Sequence, residues 1–378
     1  MDKKVRLLQV IPKLDFGGAE TGCKDIARYI EAHGHFSSII CNGGRQLSFL
    51  DLNKIKVIKL PVHSKNLILI ILNIFLIIFF IKKLNINIVH VRSRAPAWSC
   101  YYACKFTKTK MISTFHGTYN FSNSLKKFYN SIMLKGDGVI AGSKFISDHI
   151  KSNYSVKIPI YIIERGIDVH FFNKNNINIE SKENIRERWG LNNNFLILLP
   201  GRLTNWKGQM FFLKTLVKMK NENLLNNINS VILGDNQGRE EYKNNLTKII
   251  NENFLQNNVK LINHESHMPS AYLASDLVLS ASIEPEAFGR VVVEGMAMEK
   301  PVLASNIGGS VDTVQNKVTG FLFQSENEQS LIESLLMIKK LDKSELDRIC
   351  KNARERVIEK FNVTEMCSKT LEIYKSLV

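Results

Sequence analysis

The stretch EPEAFGRVVVEGMAMEKPVLASNIGGSVD, residues 284–312, decides the fold. Its Phe288-Gly289 pair opens a helical pattern over residues 291–298, and the apolar run 302–304 that follows has the length of a buried strand. A helix that leads into a buried strand is the repeating unit of a parallel α/β sheet. The number of such sheets depends on whether similar runs occur on both sides of this stretch.

Short apolar runs, separated by helical or turn stretches, recur along the whole chain. They form one series at residues 4–11, 36–41, 56–60, 86–91, 111–115, 138–141 and 158–163, and a second at 195–200, 230–234, 259–262, 277–281, 302–304 and 320–323. Two successive alternations of strand and helix predict two parallel-sheet domains. A chain of 378 residues also exceeds the usual size of a single hydrophobic core.

The asparagine-rich segment 173–194, with a helical piece at 181–189 closed by Gly190, separates the two series. We therefore expect domains at residues 1–170 and 171–361. The predicted fold class is α/β, with two Rossmann-like domains facing across a cleft. Ligands of such sheets bind at the carboxyl ends of the strands, so the loops after strands are the place to look for chemistry.

Composition excludes collagen-like, low-complexity and disordered classes, since 44% of the residues are apolar and 23% are charged. The net charge of +16 is uneven: residues 1–160 hold 24 Lys/Arg and 8 Asp/Glu, and the remainder holds 27 of each. This asymmetry favours an anionic partner, either a membrane surface or nucleic acid, over a simple coding bias.

Six cysteines without metal-ligand spacing predict buried thiols in a reducing compartment. They are Cys23, Cys41, Cys100, Cys104, Cys350 and Cys367. The apolar stretch at the N-terminus is too short for a signal peptide, so we expect a cytoplasmic protein.

Residues 67–81, LILIILNIFLIIFFI, are apolar on nearly every helical face. As a helix they would extend about 22 Å, which is less than the roughly 30 Å of a bilayer's hydrocarbon core. A transmembrane span is therefore not expected. Two alternatives remain open: a crossover helix buried in the domain, or a helix inserted into the lipid interface with Lys65, Lys82 and Lys83 at anionic headgroups.

Two features suit a nucleoside-diphosphate ligand that carries a sugar. Arg202 and Lys207 follow a predicted strand beside a helix start, where a planar guanidinium and an ammonium can bind a diphosphate, although such residues are also common in turns. Glu286 would lie before the helix that Phe288-Gly289 opens, and Glu294 about two turns inside it. One carboxylate can then bind a sugar hydroxyl and the other a ribose, or both simply interact favourably with the helix dipole.

The chain resembles the family 4 glycosyltransferases, which are retaining enzymes of the GT-B class. Seven features occur in the family's order: Gly17-Gly18-Ala19-Glu20, His116-Gly117-Thr118, Ser143, Arg165-Gly166-Ile167-Asp168, Gly201-Arg202 with Lys207-Gly208, Glu286 with Glu294, and Gly308-Gly309. Two positions depart from the family: Arg165 stands where the family often has Asn, and Glu299-Lys300 replaces a common Gly before Pro301.

The resemblance implies a site for a nucleotide-sugar donor. Gly17 and Gly18 would face the diphosphate, and Arg202 and Lys207 would neutralise it. Four further residues would bind the sugar, ribose and base. Those positions are Glu286, Glu294, Asn263 and His264, with the backbone N–H groups of Phe288, Gly289 and Arg290 facing the phosphate. His116 would lie near the reacting sugar, although a lone histidine is more often a core residue.

The implied catalytic residues are His116, Arg202, Lys207 and Glu286. No DxD-type metal motif is present where the mechanism would need one, so we expect two cations to replace the metal, with no cofactor beyond the nucleotide sugar. No motif glutamate is assigned to the position of a nucleophile, which favours same-face substitution with retention.

Two basic groups are candidates for acceptor binding: Arg92 with Arg94 after a strand, and Lys126 with Lys127 among aromatic residues. A solvated turn is the alternative for the arginines. The resulting prediction is a UDP-sugar hexosyltransferase at the inner face of the cytoplasmic membrane, peripherally bound and acting on a lipid or lipid-linked acceptor such as a lipopolysaccharide core or diacylglycerol glycolipid. The C-terminal helix, residues 362–378, would pack back onto the first domain.

The alternatives are a glycosyltransferase for a soluble acceptor, an epimerase on the same fold, and a non-catalytic protein that binds anionic surfaces. Nucleic acid is not an expected partner, because the basic half shows no recognised nucleic-acid-binding motif.

Overall fold

The computed structural model describes residues 4–15, 17–119, 121–178 and 180–378. The chain divides into two compact units. Unit 1 consists of Met1–Gly166 and Val363–Val378, and unit 2 of Ile167–Asn362. The boundaries of the units therefore lie after residues 166 and 362, whereas the sequence pattern placed them after 170 and 361.

Unit 1 contains a parallel sheet of seven strands in the order β3-β2-β1-β4-β5-β6-β7. The strands are β1 (Arg6–Val10), β2 (Phe36–Cys41), β3 (Lys56–Lys59), β4 (Ile88–Val91), β5 (Lys110–Phe115), β6 (Gly138–Ala141) and β7 (Ile160–Ile162). The helices between them are α1 (Gly18–Ala32), α2 (Leu67–Lys83), α3 (Arg94–Thr107), α4 (Ser124–Ser131) and α5 (Lys144–Asn153).

Unit 2 contains a parallel sheet of six strands in the order β10-β9-β8-β11-β12-β13. Its elements in chain order are α6 (Glu180–Arg188), β8 (Phe195–Pro200), α7 (Gln209–Asn221), β9 (Ile228–Leu233), α8 (Glu240–Glu252), β10 (Val259–Ile262), α9 (Met268–Ala274), β11 (Leu277–Ser280), α10 (Arg290–Ala297), β12 (Val302–Ser305), α11 (Ser310–Thr313), β13 (Phe321–Phe323), α12 (Glu328–Lys340) and α13 (Lys343–Lys360). The prediction of two parallel-sheet α/β domains is confirmed.

Strand β8 shows why the strand signals in the sequence are continuous apolar runs. Leu196 and Leu198 belong to one hydrophobic cluster of unit 2, while Ile197 and Leu199 belong to another. Successive side chains of a strand point to opposite faces. Both faces of this sheet are therefore covered, as parallel sheets require, and no position of the strand needs a polar residue.

The strand order determines where a crevice forms at the carboxyl ends of each sheet's strands. In unit 1 the order reverses between β1 and β4, and in unit 2 between β8 and β11. Loops on the two sides of such a reversal diverge and leave a crevice at the carboxyl ends of the strands. In unit 1 these loops begin at Ile11 and Arg92, and in unit 2 at Gly201 and Ala281.

The last helix, α14 (Val363–Leu377), belongs to unit 1. Its Tyr374 is fully buried, and the hydroxyl forms a hydrogen bond with Nδ1 of His90 on β4. The other ring nitrogen of His90 lies 2.7 Å from the hydroxyl of Thr114. Burial, followed by the charge of Arg92, keeps the pKa of His90 well below its usual range. A neutral histidine thus ties the C-terminal helix to the sheet.

Helix α2, for which the sequence left burial in the domain and insertion into the lipid interface open, is buried on one face and exposed on the other. Its Ile77 and Ile81 are buried, and its Ile70 carbonyl accepts a hydrogen bond of 3.0 Å from Ser99 on α3. The opposite face is open to solvent: Ile68 is 76% exposed and Phe75 66%. In the described ranges, no helix is both long and apolar enough to cross a bilayer.

Candidate functional site

In unit 2, the loop after β8 carries a lysine to the carboxylate that follows β11. Lys207 donates a hydrogen bond of 2.7 Å from Nζ to Oε1 of Glu286. The two side chains are only 12% and 10% exposed, so this is a buried ion pair. The neighbouring Gly208 has φ 74°, and a Cβ there would lie 1.8 Å from the carbonyl oxygen of Ala281. A glycine is needed where the two loops approach each other.

Glu286 is held as a carboxylate in spite of its burial. Burial opposes its ionisation, but the charge of Lys207 and the hydrogen bonds from Lys207, Ser282 and Ser280 outweigh burial and lower its pKa. All three side chains donate to Oε1. In the described part of the chain no side chain donates to Oε2, so that oxygen can accept a ligand hydroxyl.

The Gly308-Gly309 pair supports the loop that contains Glu286. The N–H of Gly309 donates a 2.7 Å hydrogen bond to the carbonyl of Glu286. Gly308 has φ 60°, and a Cβ on it would lie 2.6 Å from that carbonyl oxygen. A Cβ at Gly309 would lie 2.6 Å from the Cα of Phe288. Any side chain at either position would therefore displace the loop.

Glu294 lies about one helical turn inside α10, because that helix begins at Arg290. The sequence pattern had placed it two turns inside a helix starting earlier, but the left-handed Gly289 (φ 80°) delays the start. Glu294 is 7% exposed. Its Oε1 accepts a hydrogen bond of 2.6 Å from Nε of Arg290, and its Oε2 one of 2.7 Å from the hydroxyl of Tyr272.

The remaining residues that were predicted to bind the nucleotide-sugar donor lie in different environments. Arg202 is exposed just beyond β8, and Asn263 and His264 are exposed just beyond β10. The Phe288 side chain is buried in a hydrophobic cluster, with its ring 5.5 Å from that of Phe361. Only the backbone of Phe288 is therefore available to a ligand.

In unit 1, three strand ends bring His116, Arg165 and Gly18 together. Nη2 of Arg165 lies 2.6 Å from Nδ1 of His116. A Cβ on Gly18 would lie 2.3 Å from Nη1 of the same guanidinium. His116 is thus a residue of the sheet's carboxyl edge, and the arginine that departs from the family pattern contacts it directly.

The environment of His116 keeps it neutral. Burial, and then the charges of Arg165 and Arg92, lower its pKa well below the usual range. Its Nε2 is buried and makes no hydrogen bond within the described residues. A buried polar atom without a partner is unusual in a folded protein and indicates a place where a ligand completes the bonding.

Arg92 and Arg94 are both anchored, contrary to the solvated turn that was their alternative. Arg92 is 4% exposed and donates 2.9 Å from Nε to Gln9, while its Nη2 is buried and has no hydrogen-bond partner in the described ranges. Arg94 donates 2.9 Å from Nη1 to Oδ1 of Asn130, and its guanidinium lies 4.3 Å from the Tyr119 ring centroid. Two cationic side chains are therefore held in place by the fold at the end of β4.

Tyr119 and Asn130 are site residues that the sequence reasoning missed. Tyr119 has φ 43°, and its hydroxyl accepts a 3.3 Å hydrogen bond from the N–H of His116. Asn130 is fully buried and donates 2.8 Å to the Tyr119 carbonyl. Tyr119 directly follows the His116-Gly117-Thr118 motif, but nothing in the sequence around Asn130 distinguishes that residue.

Lys126 and Lys127 lie on α4 and are exposed, as are the neighbouring Leu125 and Phe128. The Nζ of Lys127 lies 5.3 Å from the ring centroid of Phe121. Within the described residues, no group of three or more His, Cys, Asp or Glu side chains is arranged to hold a metal ion. The six cysteines are buried and unpaired.

Both halves of the chain match glycosyltransferase family models. Residues 16–171 match Glycosyltransferase Family 4, and residues 181–356 match Glycosyl transferases group 1. A glycosyltransferase from Rickettsia africae has a crystal structure with 40% sequence identity and a TM-score of 0.91, covering 99% of this chain and 98% of that one. The protein belongs to the family 4 glycosyltransferases and has the GT-B fold.

Two further relatives are more distant. HepE from Anabaena, solved with UDP-glucose, shares the fold with a TM-score of 0.85 at 22% identity, covering 98% of this chain and 99% of that one. The Escherichia coli UDP-Gal:alpha-D-GlcNAc-diphosphoundecaprenol alpha-1,3-galactosyltransferase is 27% identical over 61% of this chain. This chain spans 57% of that enzyme's length.

The glycine at position 308 provides a test of the Glu286 loop. Gly308→Ala should destabilise the protein and weaken UDP binding, because the new Cβ collides with the Glu286 backbone. The matched control is Gly238→Ala, which bears a similar left-handed strain (φ 83°) but has open space around its Cβ. We expect about 1 kcal/mol of destabilisation in the control and an additional 1–3 kcal/mol, as an order of magnitude, in Gly308→Ala.

Chemical denaturation gives the two stabilities, and calorimetric titration with UDP gives the affinities. Equal stability and equal UDP affinity in the two variants would show that Gly308 does not hold the Glu286 loop.

Proposed function

We propose that this glycosyltransferase transfers a hexose from a UDP-sugar to a membrane lipid or lipid-linked acceptor, with retention of anomeric configuration and without a metal ion. It acts while bound peripherally to the inner face of the cytoplasmic membrane. The observation that carries the lipid assignment is the exposed apolar face of α2, which lies in the unit that also holds Arg92 and Arg94.

The pairing of Glu286 with Lys207 supports the donor assignment. An ammonium has three N–H donors, and Lys207 gives one of them to Glu286. The other two remain for diphosphate oxygens, while Oε2 of Glu286 accepts a hydroxyl of the transferred sugar. Exposed Arg202 adds a planar cation after β8, the strand that pairs directly with β11, whose following loop carries the carboxylate. Two of the relatives described above are named for UDP-sugars.

The anchored arginines of unit 1 support an acceptor that carries an anionic group. The Nη2 nitrogen of Arg92 is buried and has no hydrogen-bond partner in the described ranges. A phosphate oxygen is the strongest partner for such a group, because charge-assisted hydrogen bonds are about twice as strong as neutral ones. The Escherichia coli relative is named for an acceptor that is a sugar diphosphate linked to undecaprenol. A lipid-linked phosphate of this kind fits the arginines.

Six exposed apolar residues of α2 support membrane attachment. They form the α2 surface: Leu67, Ile68, Ile71, Leu72, Phe75 and Phe79. Exposed Lys65, Lys82 and Lys83 lie at its two ends, and the Lys83 ammonium lies 5.3 Å from the Phe79 ring centroid. An apolar helix face bordered by lysines fits the interface of an anionic bilayer, where the rings enter the lipid and the ammonium groups meet headgroups.

The charges of the site favour same-face substitution. Cleavage of the anomeric bond builds negative charge on the departing diphosphate, and fixed cations stabilise that charge better than mobile water does. Glu286 is engaged by Lys207 and two serines, which makes it a weak nucleophile toward the anomeric carbon. In the proposed step the bond from the anomeric carbon to the phosphate oxygen breaks, and the acceptor oxygen bonds to the same face. The acceptor proton passes to the departing phosphate.

Incubation with a panel of nucleotide sugars and a membrane lipid extract, followed by mass spectrometry, tests the proposal. We expect one UDP-sugar to add one hexose mass to a lipid, with the activity persisting in EDTA. Glu286→Gln, which keeps the shape but removes the charge, should lower the rate by about 100-fold.

A product found only on water-soluble acceptors would overturn the lipid assignment. Loss of activity in EDTA would overturn the metal-free assignment. Binding of anionic vesicles without any sugar transfer would point instead to a non-catalytic protein.

Substitution of the α2 surface tests membrane attachment. The triple variant Ile68→Ser, Phe75→Ser, Phe79→Ser leaves the buried Ile77 and Ile81 intact. Burial of one such side chain is worth about 1.5–3 kcal/mol, so vesicle binding should fall by about 100-fold or more. The matched control, Phe254→Ser with Ile358→Ser, removes exposed apolar side chains from unit 2.

Flotation with phosphatidylcholine vesicles, with and without phosphatidylglycerol, measures the binding. Wild type and control should float with the anionic vesicles and the triple variant should not. Equal flotation of all three proteins would exclude α2 as the attachment surface.

A further inference from the structure

We propose that Arg165 is a positioning residue that fixes the tautomer of His116, so that His116 offers an Nε2–H donor to a substrate oxygen and cannot act there as a base. The kinetic consequence of this inference rests on the proposed sugar transfer. The tautomer itself can be observed without any substrate.

The contact between the two side chains determines the tautomer. Nη2 of Arg165 lies 2.6 Å from Nδ1 of His116. A guanidinium has five N–H donors and no acceptor, so its nitrogen can only donate. Nδ1 must therefore accept with its lone pair. A neutral imidazole carries one proton, and that proton is then on Nε2.

The doubly protonated form is disfavoured by the same surroundings. An Nδ1–H would point its proton at the guanidinium. Burial comes first among the causes that lower the His116 pKa, followed by Arg165, Arg92 and His90. Tyr119 also contacts His116: its hydroxyl accepts from the backbone N–H of His116 and keeps its own proton, since burial raises the pKa of Tyr119. The lowered pKa keeps His116 neutral above about pH 6.5.

The other ring nitrogen is where the ligand binds. Nε2 is buried and has no hydrogen-bond partner among the described residues. A buried N–H that stays unpaired is unfavourable, because it has lost its hydrogen bonds to water. An oxygen acceptor from the ligand, either a sugar hydroxyl or a phosphate oxygen, removes that cost. Both sources present the same chemistry, an oxygen lone pair, to the Nε2–H.

Two glycines lie beside the guanidinium of Arg165. A Cβ on Gly18 would lie 2.3 Å from Nη1, and a Cβ on Gly142 would lie 3.5 Å from Nε. The guanidinium thus occupies the space that a side chain at Gly18, the first residue of α1, would fill, whereas the distance from Gly142 is an ordinary van der Waals contact. An asparagine, which the family often has at position 165, carries both an amide donor and a carbonyl acceptor, so it can pair with either tautomer.

Nitrogen-15 NMR of histidine-labelled protein tests the inference directly. His116→Gln identifies the resonances. In the wild type we expect an unprotonated Nδ1 and a protonated Nε2 from pH 8 down to about 6.5. Arg165→Met should give a mixture of tautomers or an Nδ1–H form. Arg165→Lys, whose ammonium is also a pure donor, should restore the wild-type pattern, and the exposed Lys151→Met controls for the loss of one positive charge.

Kinetics supply the functional measurement. Arg165→Met should lower kcat by about 10- to 100-fold, with recovery as the pH falls through the His116 pKa, because the imidazolium regains the Nε2 proton. Wild-type kcat should lack that acid-side increase. A wild-type Nδ1–H tautomer, or an Arg165→Met protein with unchanged tautomer and unchanged kcat, would overturn the inference. An Nε2–H tautomer without transfer from any nucleotide sugar would instead contradict the proposed function alone.

Discussion

Parallel strand pairing is the constraint on which the arrangement of the site depends. Because every paired strand in both sheets runs in the same direction, the loops that follow the strands leave each sheet at one edge. The reversals of strand order between β1 and β4 and between β8 and β11 then select which loops border a crevice. Gly18 and Arg92 belong to one crevice, and Arg202 and Glu286 to the other. Residues that are far apart in sequence become neighbours as a consequence of topology.

The two edges differ in charge. At the edge of unit 2, a buried carboxylate is balanced by Lys207, so that ionised groups of both signs are available to a ligand. At the edge of unit 1, Arg165 contacts a neutral histidine, His116, whose pKa is lowered by burial and then by the charges of Arg165 and Arg92. Buried ion pairs contribute little net stability, and loss of one partner is costly. Fold stability alone therefore gives little reason for the Lys207–Glu286 pair at these strand ends.

Much of the fold was predictable from the sequence, because both faces of each sheet are covered. All the strands described here lie at or within one or two residues of the apolar runs that predicted them. Helix starts were harder to predict, because the backbone conformation at a glycine can decide them. Gly289 is left-handed, so α10 begins only at Arg290 and Glu294 lies about one turn inside the helix rather than two. Both faces of α2 are largely apolar, and its Asn73 is buried, so hydropathy alone could not show which face packs on the domain.

The site was partly predictable, because some of its residues lie in short sequence motifs. Glu286, Lys207 and His116 lie in motifs whose spacing is local, and these were found. Asn130 and Tyr119 act through contacts across the fold, and no local pattern marks Asn130. Arg165 was visible only as a departure from the family. Its role emerges from a distance of 2.6 Å to a histidine 49 positions away in sequence.

The anomeric configuration of the product tests the mechanism most directly. In the proposed mechanism, fixed cations stabilise the departing diphosphate and Glu286 is engaged by Lys207 rather than free as a nucleophile, so the acceptor attacks the face from which the diphosphate leaves. With a UDP-sugar whose anomeric carbon is α-linked and labelled with carbon-13, NMR of the purified product should show an α linkage. A β linkage would contradict the account.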